Sequence, residues 1–264
     1  MVLDKNSQKI IDQEAEKALW EKLAYYSIAV IGKEHGTGIP ITYKDKYFII
    51  TCAHVIKGLA QDKLRFAFRT EDPLVNKKKE EFAEGMRDTK FRFNEMEELS
   101  IKTIHLASSS FIDLAAIELN GPIKGKVFEF FPLSKNNIKE PLDKLQVCLM
   151  GFAGEIAKPF EDKKAHKKGH ILFLFEEQTE IVDNAAPLDN FYTEHHFFMR
   201  FYDDYNPEGM SGCGIWSLEK SKDLIWHIAP KLIGIQSAYY RKSKLLKGEK
   251  VDRLFELLDM ATNN

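Results

Sequence analysis

The most informative stretch of the sequence reads FIITCAHVI and runs from Phe48 to Ile56. Its apolar first part is typical of a buried strand, and His54 follows at the end of that strand. A strand fixes the backbone, while an imidazole, whose ordinary pKa is about 6.5, can accept and return a proton at neutral pH. The pattern predicts a catalytic base at His54. A purely structural histidine at a strand end is the alternative.

A second segment, SSFIDLAAIEL, runs from Ser109 to Leu119 and places Asp113 among apolar residues. A carboxylate in such surroundings costs several kcal/mol unless it is hydrogen-bonded, so Asp113 is expected to have a dedicated partner. Holding an imidazole in one tautomer would provide that partner. The alternative is an aspartate that caps a local turn at the start of a strand.

A third segment, NPEGMSGCGIW, runs from Asn206 to Trp216 and places glycines on both sides of Ser211. The glycines permit a sharp turn that exposes the serine hydroxyl and lets another chain approach the backbone. The same turn can aim the amides of Gly209 and Ser211 at one point, as an oxyanion hole requires. A plain hairpin loop would have a similar sequence.

The three segments occur in the order His54, Asp113, Ser211, which is one of the orders known for catalytic triads. Together they give a sequence that resembles the trypsin-like serine peptidase family, especially its bacterial members without disulfides. Two further segments extend the likeness. GTG at residues 36–38 is similar to the family's small-residue turn, and LIGIQS at residues 232–237 is similar to the strand that lines its primary specificity pocket.

The resemblance implies an all-β protein with a chymotrypsin-like double β-barrel, formed by residues 1–264 as a single domain. Apolar residues at three- and four-residue spacing predict a helix at each end of the chain. The expected parts are an N-terminal helix at 6–26, a first barrel at 27–125, a second barrel at 140–240 and a C-terminal helix at 250–261. The charge-rich run from Lys158 to Lys168 is predicted to be a solvated surface loop.

The activity implied by the resemblance is that of a serine endopeptidase. By analogy, His54 is the general base and then the general acid, and Asp113 orients it. Ser211 attacks the substrate carbonyl and forms an acyl-enzyme. The amides of Gly209 and Ser211 would then bind the developing oxyanion.

The same analogy assigns the substrate-binding residues. The strand through Ser237, Ala238 and Tyr239 would pair with an extended substrate peptide, and Tyr205 would lie near the base of the primary pocket. Tyr239 occupies a position at which the family usually has a small residue that keeps this pocket open. A shallow or blocked pocket is therefore expected, and the preferred substrate residue stays open.

The composition restricts the classes of partner. Thirty-eight Lys and Arg balance 40 Asp and Glu, so no global field favours nucleic acid or an anionic membrane. No apolar run is long enough to cross a bilayer. The three cysteines are few and odd in number, whereas a secreted disulfide scaffold has paired cysteines. We therefore expect a cytoplasmic protein with reduced thiols that binds neither nucleic acid nor a membrane. The resemblance implies a protein or peptide substrate, and we expect no metal or cofactor.

Two alternatives to an autonomous protease remain at this point. In the first, a regulatory partner protein or signal aligns the active site. In the second, the chain is a catalytically silent relative that keeps the fold as a peptide-binding or interaction module. The presence of all three residues, His54, Asp113 and Ser211, argues against the second alternative.

Overall fold

A computed structural model provides the coordinates. It describes residues 18–68, 98–109, 112–124, 128–153, 158–162, 167–171, 174–182, 194–202, 206–217 and 230–263, and for those between 158 and 176 only the backbone. Antiparallel strands dominate the described chain, as expected for an all-β protein. No helix among these residues is long and apolar enough to cross a membrane.

The N-terminal half of the chain forms one sheet. Six strands lie in the order β4-β1-β2-β3-β6-β5, and the short β7 pairs with β2 in parallel. A tight turn at Lys44 and Asp45, both with positive φ, joins β2 to β3. The strands are β1 (Ile28–Ile31), β2 (His35–Tyr43), β3 (Lys46–Thr51), β4 (Arg65–Ala67), β5 (Ile101–Ser108), β6 (Asp113–Leu119) and β7 (Phe131–Pro132).

The C-terminal half forms a closed six-stranded barrel and a separate two-stranded hairpin. The barrel closes in the order β11-β12-β15-β14-β13-β8, and β9 pairs only with β10 among the described strands. The strands are β8 (Gln146–Phe152), β9 (Lys158–Asp162), β10 (Lys167–Ile171), β11 (Leu174–Val182), β12 (His196–Arg200), β13 (Gly214–Ser217), β14 (Lys231–Tyr240) and β15 (Leu245–Lys250).

Three α-helices lie among the residues that the structure describes. Helix α1 covers residues 18–25 of the described chain, and the predicted part at 6–17 lies outside it. Helix α2 (Ala53–Ile56) is a single turn that follows β3. Helix α3 (Val251–Asn263) confirms the predicted C-terminal helix, since its apolar residues recur every three or four positions and are buried.

The prediction of a surface loop from Lys158 to Lys168 was wrong in the parts that the structure describes, and residues 163–166 lie outside them. Lys158–Asp162 forms β9, which pairs in antiparallel register with β10 at Lys167–Ile171. A high density of charge indicates exposure to solvent but does not determine the backbone conformation. Strand pairing satisfies the backbone amides and carbonyls whatever the side chains are.

The two halves share a core in which aromatic rings of distant segments meet. Trp216 of β13 is 1% exposed, and its ring stacks on Tyr26 at a centroid distance of 5.7 Å. Phe131 of β7 meets Trp216 edge-on at 5.0 Å and Tyr26 at 5.3 Å. Trp20 and Leu23 of α1 belong to the same buried cluster, so this helix packs against the strands with its apolar side.

Replacing Trp216 with alanine is expected to lower the free energy of unfolding by about 3–5 kcal/mol, because it opens a large cavity where the two halves meet. Urea titration followed by circular dichroism measures the loss. Tyr202→Ala is the control, since this ring is 58% exposed and its removal should change stability by less than about 1 kcal/mol. Equal losses in the two variants would contradict the described core.

Candidate active site

His54 and Asp113 are brought together by the pairing of β3 with β6. Thr51 at the end of β3 lies opposite Ala115, so Asp113 at the start of β6 reaches helix α2. The Nδ1 atom of His54 lies 2.5 Å from Oδ2 of Asp113, and the backbone amide of His54 donates to Oδ1 at 3.0 Å. An ionised carboxylate only accepts hydrogen bonds, so Nδ1 carries the proton and Nε2 is free to accept one.

The electrostatics of this pair suit a base at neutral pH. The hydrogen bond to Asp113 raises the pKa of His54 above its ordinary value, although burial acts in the opposite direction. Burial alone would raise the pKa of Asp113, but its hydrogen bonds to His54 and the charge of Lys247 keep it below its ordinary value. Asp113 is therefore ionised at neutral pH and stabilises a proton on the imidazole.

Ser211 lies in a tight loop that precedes β13. Gly209 and Gly212 adopt φ values of 95° and 94°, which other residues rarely adopt. The amide of Met210 donates to Pro207 O at 3.0 Å and so points into the loop. The amides on either side, of Gly209 and Ser211, donate to no other residue that the structure describes. These two donors are available to a ligand.

Thr37 anchors this loop to the N-terminal sheet. Its amide donates to Ser211 O at 2.8 Å, and its buried hydroxyl donates to Gly209 O at 3.0 Å while it accepts from the amide of Phe152 at 2.9 Å. The hydroxyl of Thr51 donates to Thr37 O at 2.7 Å. The serine loop is therefore connected to the strand that precedes the histidine.

A second connection passes through the carbonyl oxygen of Gln236 in β14. This oxygen accepts the amide of Gly212 at 2.8 Å and lies 3.2 Å from the thiol sulfur of Cys52. Cys52 lies two positions before His54, and Gly212 directly follows Ser211. The structure thus brings together the three segments singled out in the sequence.

Gly212 has no room for a side chain. A β-carbon at this position would lie 2.1 Å from Thr37 O and 2.5 Å from the hydroxyl oxygen of Thr51. Gly36 is similarly confined, with Ser211 O at 3.0 Å and a methyl carbon of Val55 at 2.7 Å from its virtual β-carbon. The serine loop and helix α2, the histidine turn that carries His54, pack this closely because both positions are glycines.

The predicted substrate-binding residues lie along an open strand edge. The ladder between β13 and β14 ends at Ile235, and the backbone of Gln236 still bonds to Gly212 and Cys213. Ala238 and Tyr239 pair with β15 on the other side, after a bulge at Ser237. Within the described chain, this part of β14 has a free edge that can accept an extended peptide. The ring of Tyr239 packs edge-on against Phe201 at 5.2 Å. Tyr205 lies outside the described residues.

Three further residues lie at the candidate site and were not predicted from the sequence. Thr37 was noted only as part of a small-residue turn, and no signal pointed to its hydrogen bonds across the molecule. Glu34 places a carboxylate oxygen 4.0 Å from Nε2 of His54. Lys247 contributes charge next to Asp113. The last two lie in charged surface-like segments, KEH and KGEK, which are common in exposed turns.

One group of side chains has the composition of a metal site. Donor atoms of Cys52, His54 and Asp113 lie within 4.8 Å of one another. Burial, and next the charge of Asp113, raise the pKa of Cys52 far above its ordinary value, so this residue stays a protonated thiol. Metals bind the thiolate, and the imidazole and carboxylate already bind each other. The group therefore suits proton transfer better than metal binding.

Cys213 follows the serine loop and is the other cysteine near the site. It is fully buried, and burial raises the pKa of its thiol far above the ordinary value. A buried neutral thiol is a poor nucleophile. Ser211, which is only partly buried, is the better candidate for attack on a substrate.

Comparison with solved structures identifies the fold. No protein-family model and no curated protein sequence matches the chain. Two crystal structures of scabies mite inactivated protease paralogues, S-I1 and S-D1, each align with 92% of the chain at 16% sequence identity. Their TM-scores are 0.58 and 0.56, and the alignments cover 98% and 94% of the respective mite chains. The protein has a chymotrypsin-like fold, as the sequence predicted.

We expect Gly212→Ala to lower the free energy of unfolding by more than about 4 kcal/mol, because strain at positive φ adds to the overlap with Thr37 and Thr51. Gly58→Ala is the matched control. Gly58 also has a positive φ, of 78°, but nothing lies within 4 Å of its virtual β-carbon. It should cost only about 1–2 kcal/mol. Urea titrations that give equal losses would refute the close approach at Gly212.

Proposed function

We propose that this chain is a serine endopeptidase that uses His54, Asp113 and Ser211 as a catalytic triad. The observation that carries the proposal is the hydrogen-bonded pair of His54 and Asp113, held beside a serine loop in which the amides of Gly209 and Ser211 donate to no other described residue. The free edge of β14 at Ala238 and Tyr239 gives an extended peptide a place to bind.

The reaction begins when Nε2 of His54 accepts the proton of the Ser211 hydroxyl. The serine oxygen attacks the peptide carbonyl carbon, and the amides of Gly209 and Ser211 stabilise the oxyanion, by about 3 kcal/mol for each donor. His54 then gives its proton to the leaving amine, which leaves Ser211 acylated. Water, deprotonated by His54, hydrolyses this ester. Asp113 stays ionised and stabilises the imidazolium in both halves of the reaction.

A catalytically silent, peptide-binding protein is the second candidate. The observation in its favour is that both similar structures are named as inactivated protease paralogues. The observation against it is that His54, Asp113 and Ser211 are all present, in segments that hydrogen bonds bring together. A protein that is inactive until a regulatory partner binds would fall between the two candidates.

The cellular setting belongs to the proposal as well. The three cysteines are all free and buried, which fits a reducing cytoplasm and the disulfide-free, bacterial type of trypsin-like peptidase. A protein or peptide is the substrate class that a free strand edge recognises.

A fluorophosphonate probe tests the triad, because it phosphonylates only an activated serine. We expect wild-type protein to be labelled at Ser211, and Ser211→Ala and His54→Ala to remain unlabelled. Ser100→Ala, which changes an exposed serine, is the matched control and should be labelled as wild type. Mass spectrometry identifies the labelled residue. A folded wild-type protein that no probe labels would favour the silent candidate.

The rate of labelling should fall as the pH decreases through the pKa of His54, because a protonated imidazole cannot accept the serine proton. That pKa should lie above 6.5, since the hydrogen bond to Asp113 raises it. Asp113→Asn should move the midpoint to lower pH and slow labelling about a thousandfold or more, because the asparagine favours the wrong tautomer. A wild-type midpoint below the ordinary histidine value would contradict the described pair.

A further inference from the structure

Glu34 lies on the open side of the candidate active site. Its Oε2 atom is 4.0 Å from Nε2 of His54, and its side chain is 58% exposed. His54 is its only ionic partner among the described residues. The nearest basic residue after the histidine turn, Lys57, is directed to Ser108, whose hydroxyl it contacts at 3.0 Å. Among the residues that the structure describes, no lysine or arginine therefore pairs with the Glu34 carboxylate.

The backbone of Glu34 is fixed to the turn that carries the histidine. The carbonyl of Val55 accepts the amides of Lys33 at 2.8 Å and Glu34 at 3.4 Å, and the amide of Gly32 donates to Glu34 O at 3.1 Å. A β-carbon at Gly32 would lie 2.3 Å from the same Val55 oxygen. The loop and helix α2 thus lie in direct contact, which keeps the backbone of Glu34 next to the turn that carries His54.

The position of Nε2 determines what passes beside Glu34. In the proposed reaction this nitrogen protonates the leaving amine, so that amine must come within about 3 Å of it. A carboxylate 4.0 Å from the same atom then lies next to the first residues on the leaving-group side of the cleaved bond. An unpaired carboxylate at the edge of a peptide-binding cleft attracts a cationic side chain.

We infer that Glu34 is a specificity-determining residue whose carboxylate selects a lysine or arginine on the leaving-group side of the scissile bond. The inference rests on the proposed function and adds a substrate class to it. The Glu34 side chain takes no part in bond making or breaking. It acts through an ion pair with the substrate beside the attacked bond.

Partition of the acyl-enzyme tests the inference without knowledge of the natural substrate. 4-Nitrophenyl acetate acylates Ser211 and releases 4-nitrophenol, and an added amino-acid amide then competes with water for the acetyl group. The amine attacks the ester carbonyl, loses a proton to Nε2 of His54, and Ser211 leaves with that proton. Acetylated product, measured by mass spectrometry, reports how well each amine occupies the leaving-group side.

The wild type should favour argininamide over leucinamide by about fivefold, as expected for a partly exposed ion pair, and added salt should reduce this preference. Glu34→Gln should remove the preference, and Glu34→Lys should instead favour the amide of aspartic acid. Glu140→Gln, the same change at an exposed position between the two halves, should behave as wild type. All reactions run at one pH, well above the ordinary histidine pKa.

The outcomes separate the two proposals. A burst of 4-nitrophenol that depends on Ser211, combined with no argininamide preference or with a preference that survives in Glu34→Gln, overturns the role of Glu34 and leaves the proposed function intact. A wild-type protein without any such burst refutes the proposed function, and the inference about Glu34 fails with it. Thermal unfolding of each variant checks that the substitutions leave the fold unchanged.

Discussion

The hydrogen bonds of Thr37 hold the candidate active site together. This fully buried residue belongs to the N-terminal sheet, yet its amide and hydroxyl bind the serine loop and its hydroxyl also accepts the amide of Phe152 in the barrel. A buried donor or acceptor that loses its partner costs about 1–3 kcal/mol, so these bonds favour one relative position of the two halves. The distance between the histidine turn and the serine loop follows from that position.

Such bonds form only where two backbones come very close, and this requirement explains the glycines of the site. Gly151, like Gly36 and Gly212, lies against the contact, since its virtual β-carbon would be 2.9 Å from the Thr37 hydroxyl oxygen. A side chain at any of these positions would push the two halves apart. The glycines around Ser211 thus serve two purposes, because they shape the turn and also permit the approach of Thr37 and Thr51.

The parts of the fold predicted from sequence were those with a local signal. Adjacent residues in the sequence were enough to predict three features: the apolar strand before His54, the apolar run after Asp113 and the glycine-flanked turn at Ser211. The neighbours of Thr37 do not predict its hydrogen bonds, because its partner Gly209 lies 172 positions further along the chain. Charged or half-exposed strands were missed for a related reason. Strand β5 and the hairpin of β9 and β10 are stabilised by backbone pairing, which leaves little trace in the pattern of apolar residues.

The electrostatics of the site also depend on both halves. On β15, Gly248 faces the barrel interior at Phe197, so its neighbours Lys247 and Glu249 lie on the opposite face of the strand. Glu249 is fully buried there, 2.8 Å from Nζ of Lys247 and 3.0 Å from Nε2 of His196. Burial alone would raise the pKa of Glu249, but these partners keep it low, so a complete ion pair lies between the halves.

Removing ions from water is costly, and a buried ion pair contributes little to stability compared with apolar packing. The ion pair of Lys247 and Glu249 instead affects the neighbouring carboxylate of Asp113. After the hydrogen bonds and charge of His54, Lys247 also lowers the pKa of Asp113, and Glu249 keeps this cation in place without sharing the hydrogen bonds between His54 and Asp113. Asp113 is thus supplied with a partner from each half, the imidazole of His54 from its own sheet and a positive charge from the barrel. Separation of the two halves would remove this cation from Asp113 and free the serine loop from Thr37 at the same time.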